Sequence, residues 1–481
     1  MDFFRGSPTL RPMDLPFYLE ELDRRDALMV VDVPVDPHLE IAALTAMAVR
    51  EQGPALLFRN ARDSKHPILT NALASEGRIA LALNHASLRE FGNTAFNLLR
   101  QNPDPAPASS DSSDLDDAME IVDEPPCQEH SLAGSEASFE HLPRITLWPG
   151  DAGPCLTAGV VVTRHPRTGR RNAGIYRLQI LDNTRATLGW HPGSDAAEHF
   201  HAAEDMNQPL EVAVALGAPP AVLLAAGLSL PREVDELEFT ARVTSSRLPM
   251  ARCSTVDLLI PATSQFVLEG HALPGERALE GPFGNHTGLL STPRPCPVLR
   301  LRAITQALDP VQPCIVAGPP PSESTWMAKA QEAMLRARLC AAYPEIRDIA
   351  LPMEGIYQNF LFVTLDSDQR DPPNAALELL RCLSEKRELR RFRFLVAVDE
   401  FVDCTDVSQV FWRLGNCLDP DRDMVRIQGP LAPWHPSTTP GRGGKLLLDA
   451  RAKPPAQPMP SHPDPHFTET VRRLWQTLRK R

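Results

Sequence analysis

The sequence lacks several features that would place it in a membrane, secreted or zinc-binding class. No apolar run approaches the ~20 residues that a membrane helix needs. No CxxC pair occurs among the nine cysteines, which argues against a zinc site or a disulfide framework and favours reduced thiols. The N-terminal stretch MDFFRGSPTLRPMDLP contains acids and prolines but no apolar core, so we predict no signal peptide and a cytoplasmic protein.

Basic charge is also in short supply. The 49 Lys and Arg residues are outnumbered by 61 Asp and Glu residues, giving a formal net charge of −12. This balance argues against a nucleic-acid partner, although a local basic pocket for an anionic ligand is compatible with it. With 481 residues, of which 43% are hydrophobic and 23% charged, the chain is long enough for two to four globular domains with sizeable cores.

Changes in composition divide the chain into five predicted segments, which together predict a mixed α/β fold. Residues 1–100 are predicted to form an α/β unit, and the acidic, Pro- and Ser-rich residues 101–126 a disordered linker or surface loop. Residues 127–319 are mostly strand-like and predict a barrel with helical inserts. Residues 320–450 alternate helices and strands, which predicts a layered α/β domain with a partly parallel sheet. Residues 451–481 predict a Pro-rich tail and one amphipathic helix, which either docks on a partner subunit or folds back on its own chain.

The first group of unusual polar residues lies in RNAGIYRLQ, residues 171–179. Arg177 interrupts an apolar predicted strand, and strand alternation places Arg177 and Gln179 on one face together with Ile175. A buried arginine needs an anionic partner, because leaving it unpaired costs about 3–5 kcal/mol. The pattern therefore predicts either a structural ion pair or a clamp for a carboxylate or phosphate.

Two glycine-rich loops carry further candidates. In EGPFGNHTG, residues 280–288, Glu280 is the natural partner for a buried arginine, while Asn285 stands where a second carboxylate would complete an acid/base pair. In PGRGGKLLLDA, Lys445 follows glycines and precedes an apolar run, which suits a loop that meets a phosphate. This second loop is no Walker A motif, because Leu446 replaces the required Ser or Thr. Each loop is alternatively an ordinary turn with one surface charge.

Histidines cluster in and before a predicted helix at 194–206. His191, His199 and His201 occur with Glu198 and Glu204 nearby, but the spacing does not match the HExxH pattern of zinc helices. We therefore predict that the helix histidines are exposed and bind no metal.

Taken together, these places give the chain a resemblance to the UbiD family, the prenylated-flavin-dependent decarboxylases. The match runs from about residue 10 to residue 455 and is collinear apart from the acidic segment. Seven ordered blocks carry it: LPRITLWPGDAGPCLTAGVVVTR, RNAGIYRLQILD, VAVALGAPPAVLLAA, LPREVDELEF, VDLLIPATSQFVLEG, EGPFGNHTG and GGKLLLDA.

The resemblance implies an architecture, a cofactor and a set of partners. The expected parts are an N-terminal α/β unit, a split-barrel-like cofactor domain and a C-terminal α/β domain used in homo-oligomers, from dimer to hexamer. The expected cofactor is prenylated FMN, made by a flavin prenyltransferase. Its phosphate would be held by a divalent metal, usually Mn²⁺, with K⁺ nearby; hard cations of this kind suit oxygen ligands.

The resemblance also implies the site residues. Metal ligands would be Asn172, Glu236 and His191, the last being the histidine nearest to the family position, which falls on Gly193 when counted from Trp190. The residues expected at the cofactor are Asn172, Ile175, Arg177, Gly227, Leu228 and Lys445.

The implied catalytic network is Arg177, Glu280 and the position held by Asn285, where the family has an acid. Asparagine has no titratable proton, and general acid/base assistance typically contributes 10²–10⁴-fold. Water, His286 or a substrate phenol would have to move the proton instead. We favour a decarboxylase, or reversible carboxylase, of an aromatic or α,β-unsaturated acid such as a hydroxybenzoate. The alternatives are a catalytically weak flavin-binding subunit of a larger carboxylase and an α/β oligomeric scaffold.

Overall fold

A computed structural model describes residues 13–101, 118–366, 372, 374–431, 441–453 and 465–479. Over these residues the chain is a mixed α/β protein with several separate sheets. Most of the predicted acidic linker, residues 102–117, and most of the predicted Pro-rich tail, residues 454–464, lie outside the described residues.

The N-terminal unit is a small sheet covered by helices. Its first helix begins where the Asp14 carboxylate accepts a hydrogen bond from the Phe17 N–H at 2.9 Å, and the helix buries Leu15, Tyr18 and Leu22. The last strand comes from far along the chain, so the unit is completed only after the central domain has been traversed. The helices are Leu15–Arg24, Glu40–Arg50, Glu76–Ala82 and Leu88–Gln101, and the strands in sheet order are Leu28–Val31, Ala55–Phe58, Ile68–Thr70 and Gln312–Pro313.

The central domain is built on a seven-stranded antiparallel sheet. The run 160–162 is apolar throughout, and strand Leu210–Leu216 is apolar except for Glu211, because their side chains enter hydrophobic clusters on both faces of the sheet. In sheet order the strands are Arg185–Thr187, Arg294–Gln306, Phe266–Glu280, Leu210–Leu216, Gly159–Arg164 and Arg171–Ile175, with His130–Ala133 beside Arg294–Gln306. The helices are Asp195–Asp205, Pro220–Ala226 and Glu236–Thr244. The two end strands do not pair with each other in the described chain, so the sheet is open where a barrel was predicted.

The strand predicted across Arg177 is interrupted. Strand Arg171–Ile175 belongs to the seven-stranded sheet, whereas Leu178–Gln179 pairs with Cys155–Leu156 in a separate two-stranded sheet. Tyr176 and Arg177 form the crossing between the two sheets, so Arg177 lies at a break rather than within a continuous strand.

A separate three-stranded sheet includes part of the predicted disordered linker. Strand Met119–Ile121 pairs in parallel with Leu248–Arg252, which also pairs with Leu259–Pro261. Met119 is buried in the hydrophobic core. The apolar residues at the end of the acidic segment thus find a strand partner that their local composition does not reveal.

The C-terminal domain is a five-stranded, partly parallel sheet with helices. In order the strands are Ile346–Ala350, Phe360–Leu365, Phe394–Asp399, Arg442–Asp449 and Met424–Pro430, and the helices are Glu323–Ala342, Ala375–Glu385 and Val407–Cys417. Helix Glu323–Ala342 meets helix Leu88–Gln101 so closely that a Cβ at Gly92 would overlap the Ala333 carbonyl oxygen. A terminal helix, Pro465–Arg479, leaves Val471, Leu474, Trp475 and Leu478 exposed.

The described chain also contains short 3₁₀ turns and free cysteines. Short 3₁₀ turns lie at Pro126–Gln128, Gly134–Glu136, Phe139–His141, Met353–Gly355 and Arg387–Leu389. All nine cysteines are free thiols. Within the described ranges, no helix is both long and apolar enough to cross a membrane.

Candidate active site

Arg177 and Glu280 form an ion pair in which the carboxylate is buried and the arginine side chain is 22% exposed. Arg177 Nη2 lies 3.3 Å from Glu280 Oε1, and the Glu280 side chain is only 1% exposed. The Arg177 guanidinium also stacks over the Phe283 ring, 4.3 Å from its centroid. The break after Ile175 directs Arg177 towards the end of strand Phe266–Glu280, where the glycine-rich loop begins. The anionic partner expected for Arg177 is therefore present.

The second oxygen of Glu280 is held by two residues that sequence reasoning missed. Arg294 Nη2 lies 3.6 Å from Glu280 Oε2, and the Cys296 thiol donates a hydrogen bond to the same oxygen at 3.3 Å. Burial, followed by the Glu280 charge, raises the pKa of Cys296 to about 12, so the thiol stays protonated and acts as a donor. Gly189 makes room for this arrangement, because a Cβ there would lie 2.6 Å from Glu280 Oε1.

Two histidines border the same ion pair. Burial, followed by the charges of Arg294, His286 and Arg177, lowers the pKa of His191 to about 4. Burial also lowers the pKa of His286, although a hydrogen bond to Gln358 of the C-terminal domain opposes the shift. Both imidazoles are therefore neutral at pH 7. His191 lies close enough to Arg294 and Arg177 for their charges to lower its pKa.

Asn285 has a fixed orientation within the loop. Its Oδ1 accepts hydrogen bonds from the Thr287 N–H at 2.8 Å and from the Thr287 hydroxyl at 2.6 Å. The Asn285 carbonyl accepts from the Gly288 N–H at 3.0 Å, and Gly288 adopts a φ of 77° that favours glycine. Because Oδ1 takes two donors, the side chain closes the turn, and only its amide nitrogen is left to donate to another group.

Asn172 and Glu236 come together at a second place in the same domain. Glu236 begins helix Glu236–Thr244, and its Oε2 accepts a hydrogen bond from the Ala173 N–H at 3.0 Å. Asn172 is 5% exposed, and its Nδ2 has no hydrogen-bond partner among the described residues. Burial, followed by the Asp235 charge, raises the pKa of Glu236 to about 8.

This pair fits a hard divalent cation. A cation beside Glu236 would keep its carboxylate ionised despite burial, and an Asn172 amide turned by 180° would present its oxygen, since amide O and N are assigned rather than observed. The third ligand, His191, stays a prediction; within the described ranges, no group of three or more His, Cys, Asp or Glu side chains could by itself hold a metal ion.

The apolar residues predicted at the cofactor also meet. A Cβ added to Gly227 would lie 3.3 Å from Ile175 Cδ1, so the glycine allows the end of helix Pro220–Ala226 to approach the strand that carries Asn172. Ile175 and Leu228 pack against the same hydrophobic cluster.

Lys445 is buried inside the C-terminal domain. Its Nζ donates a hydrogen bond to the Ser384 carbonyl at 3.2 Å, and the side chain is 1% exposed. Burial, followed by the Arg390 charge, lowers the pKa of Lys445 to about 8. In this structure Lys445 belongs to the interior of that domain and is not brought to Arg177 or Asn172.

Lys445→Met is expected to stabilise the protein at pH 7 by about 1–2 kcal/mol, because it removes the cost of a buried ammonium. A lowered pKa in the folded state means that wild-type stability rises as pH increases from about 8 towards 10, and the variant should lack this rise. Thermal unfolding from pH 7 to 10 measures both effects, with the exposed Lys386→Met as control. A variant less stable than wild type at pH 7 would contradict the prediction.

The prediction for the helix histidines is half correct. His201 is 69% exposed, as expected, and lies 3.2 Å from Glu204. His199 is fully buried, and its Nδ1 shares a hydrogen bond with the Thr163 hydroxyl at 2.9 Å, so the prediction of exposure is wrong for this residue. His199 faces the sheet because it lies on the inner side of helix Asp195–Asp205, beside Phe200 and Ala196.

Three family models match the chain in order. The N-terminal, Rift-related and C-terminal domains of 3-octaprenyl-4-hydroxybenzoate carboxy-lyase match residues 19–94, 120–320 and 325–450. The chain belongs to the UbiD family.

Relatives and solved structures agree with this membership. An uncharacterised protein of Archaeoglobus fulgidus is 34% identical over 92% of both chains. The UbiD-class enzyme HmfF of Pelotomaculum thermopropionicum, solved with FMN, is 27% identical, with a TM-score of 0.82 over 95% of this chain and 98% of its own. Vanillic acid decarboxylase of Sedimentibacter hydroxybenzoicus, in its closed form, is 26% identical, with a TM-score of 0.80 over 98% and 99%.

Proposed function

We propose that the protein is a non-oxidative decarboxylase, or a reversible carboxylase, of an aromatic or α,β-unsaturated carboxylic acid such as a hydroxybenzoate, and that it uses prenylated FMN. The observation that carries the proposal is the ion pair of Arg177 with the buried Glu280 carboxylate in a UbiD-family fold. Similarity to HmfF bound to FMN and to vanillic acid decarboxylase supports both the cofactor and the reaction class.

The charges around Glu280 suit an anionic substrate. Two guanidiniums, those of Arg177 and Arg294, face a single carboxylate, which leaves one excess positive charge for a substrate carboxylate. Arg294 and Cys296 hold Glu280 oriented through its second oxygen, so Arg177 can bind substrate without losing its anchor. The bound prenylated flavin would supply the electron sink that decarboxylation requires.

The other groups would hold the cofactor. Asn172 and Glu236, with His191 as a predicted third ligand, would bind Mn²⁺ or a similar cation at the flavin phosphate, with K⁺ nearby. Ile175, Gly227 and Leu228 would form apolar contacts with the flavin, and Lys445 would meet the phosphate only after a rearrangement of the C-terminal domain. The predicted partners are a flavin prenyltransferase, which supplies the cofactor, and further copies of this chain, in an assembly from dimer to hexamer.

Two measurements test the proposal. Co-expression with a flavin prenyltransferase should give purified protein with a flavin absorbance spectrum. That protein should exchange ¹³C-bicarbonate into at least one member of a panel of aromatic acids. Bound flavin without exchange for any acid would favour the alternative, a flavin-binding subunit of a larger carboxylase, and the absence of flavin would favour a scaffold.

Asn285→Asp is expected to raise the exchange rate, by roughly 10–100-fold. The aspartate would keep both hydrogen bonds from Thr287 and would add a titratable proton to the loop that begins at Glu280. The measurement is ¹³C exchange across pH 5–9, with Asn285→Ala as the variant that removes the side chain without adding an acid. A lower rate in Asn285→Asp would show that the amide serves another role, such as donating a hydrogen bond to the substrate.

A further inference from the structure

The two elements that carry Asn172 and Glu236 are joined by a second, flanking contact. Arg171, which precedes Asn172, donates a hydrogen bond from Nε to Asp235 Oδ2 at 2.7 Å, and Asp235 precedes Glu236. Both side chains of this pair are largely buried, at 14% and 8% exposed. The pair therefore ties the start of strand Arg171–Ile175 to the start of helix Glu236–Thr244.

The Asp235 carboxylate is fully engaged. Its other oxygen, Oδ1, caps the helix by accepting hydrogen bonds from the Leu237 N–H at 2.9 Å and the Glu238 N–H at 3.1 Å. Arg171 is enclosed in turn, because its Nη2 contacts the Met119 sulfur at 3.7 Å. With both ends held by several groups, the pair has one well-defined geometry and fixes the separation of the two backbone segments.

The neighbouring acids of the same helix are engaged by arginines, whereas Glu236 is in neither ion pair. Arg171 and Asp235 neutralise each other, and Glu238 pairs with Arg242 at 2.8 Å, one turn further along the helix. Glu236 is left with the Ala173 N–H at 3.0 Å as its described hydrogen-bond partner. Neither pair includes Glu236, so a cation bound beside Asn172 would have this carboxyl group as a ligand.

We propose that Arg171 and Asp235 are positioning residues for a divalent-cation site, and that they set its affinity by fixing the distance between Asn172 and Glu236. The inference deepens the proposed function, because it rests on Asn172 and Glu236 being cation ligands. A different ion pair serves as comparison: Arg164, which lies opposite Arg171 on the neighbouring strand, pairs with the exposed Asp257 at 2.6 Å, and neither residue adjoins Asn172 or Glu236 in the sequence.

The experiment measures Mn²⁺ binding to the full-length protein loaded with FMN, followed by electron paramagnetic resonance of free Mn²⁺. Arg171→Lys keeps the charge but loses the Nε geometry, and Asp235→Asn keeps a capping oxygen but loses the charge. Each is expected to weaken Mn²⁺ affinity by about 10–100-fold, as is typical for residues that orient metal ligands. The matched variants Arg164→Lys and Asp257→Asn should change it less than twofold.

The Mn²⁺ affinity of the double variant distinguishes a positioning role from a general loss of stability. The double variant Arg171→Lys/Asp235→Asn should bind Mn²⁺ about as weakly as the worse single variant, because both remove the same contact. Wild-type affinity in both singles, or an equal loss in Arg164→Lys, would overturn the inference while leaving the cation site intact. If wild-type protein with bound FMN takes up no Mn²⁺, the cation site itself is wrong and the inference fails with it. Should Asp235→Asn not fold, Arg171→Lys alone decides.

Discussion

Glu280→Gln should lower ¹³C-bicarbonate exchange by roughly 10²–10³-fold, the scale on which loss of one preorganised electrostatic partner slows an enzyme. The glutamine keeps the shape of the side chain but removes the charge that Arg177 and Arg294 share. The two guanidiniums, on side chains 22% and 33% exposed, would then lack the carboxylate that separates their charges. Arg177 would lose the orientation in which we propose that it binds the substrate carboxylate.

The control for this prediction is Glu276→Gln, on the same strand. Glu276 pairs with Arg300 at 2.9 Å, and Arg300 is 51% exposed, so removing this surface charge should leave exchange unchanged. Flavin absorbance of both variants shows whether the cofactor is still bound. Exchange within threefold of wild type in Glu280→Gln, with full flavin content, would contradict a catalytic role for the pair.

The Arg177–Glu280 contact could be predicted from the sequence because burial makes it nearly obligatory. An arginine among apolar residues needs a carboxylate, and a carboxylate that opens a glycine-rich loop is a suitable candidate. The alternation of helices and strands over residues 320–450 was predictable for a different reason, because helical periodicity is a local signal. Family resemblance brought Asn172 and Glu236 into consideration, since neither residue is unusual by itself.

Arg294 and Cys296 could not be found in this way because their positions depend on long-range register. Glu280 lies opposite Arg294 only because strands Phe266–Glu280 and Arg294–Gln306 pair with two irregularities, near residues 269–270 and between 272 and 277. A shift of one residue would turn these side chains to the other face of the sheet. Knowing the hairpin and its bulges would have supplied the missing signal.

The break at Tyr176 escaped prediction for a related reason. RNAGIYRLQ alternates like one strand, yet its two halves pair with strands of different sheets. The pairing partner of a strand depends on tertiary contacts, which the local sequence pattern does not encode. The same holds for Met119–Ile121, where an acidic segment ends in a strand because Leu248–Arg252 offers a free edge.

The largest effect on stability is expected at Glu323, which joins the N-terminal unit to the C-terminal domain. It is the first residue of helix Glu323–Ala342 and is 2% exposed. Its two oxygens accept hydrogen bonds from the Leu73 N–H at 2.9 Å and the Asn71 N–H at 3.1 Å. Glu323→Ala leaves both buried donors without an acceptor, at about 1–3 kcal/mol each. We therefore expect the free energy of unfolding at pH 6 to fall by about 2–5 kcal/mol, whereas the exposed Glu345→Ala should have little effect.

The pH dependence of the unfolding free energy distinguishes the effect of ionising the Glu323 carboxyl group from the effect of its hydrogen bonds. Burial raises the pKa of Glu323 to about 7, although the Leu73 N–H and the Arg78 charge oppose the shift. A pKa raised in the folded state means that this group's contribution to stability is complete below its unfolded pKa and is lost as pH rises through about 7. The loss between pH 5 and pH 8 is on the order of 3 kcal/mol. Glu323→Gln keeps one acceptor and has no proton to lose, so its unfolding free energy should change less over this range. Urea unfolding at pH 5, 6.5 and 8 gives the comparison, and parallel profiles for wild type and Glu323→Gln would contradict the assignment.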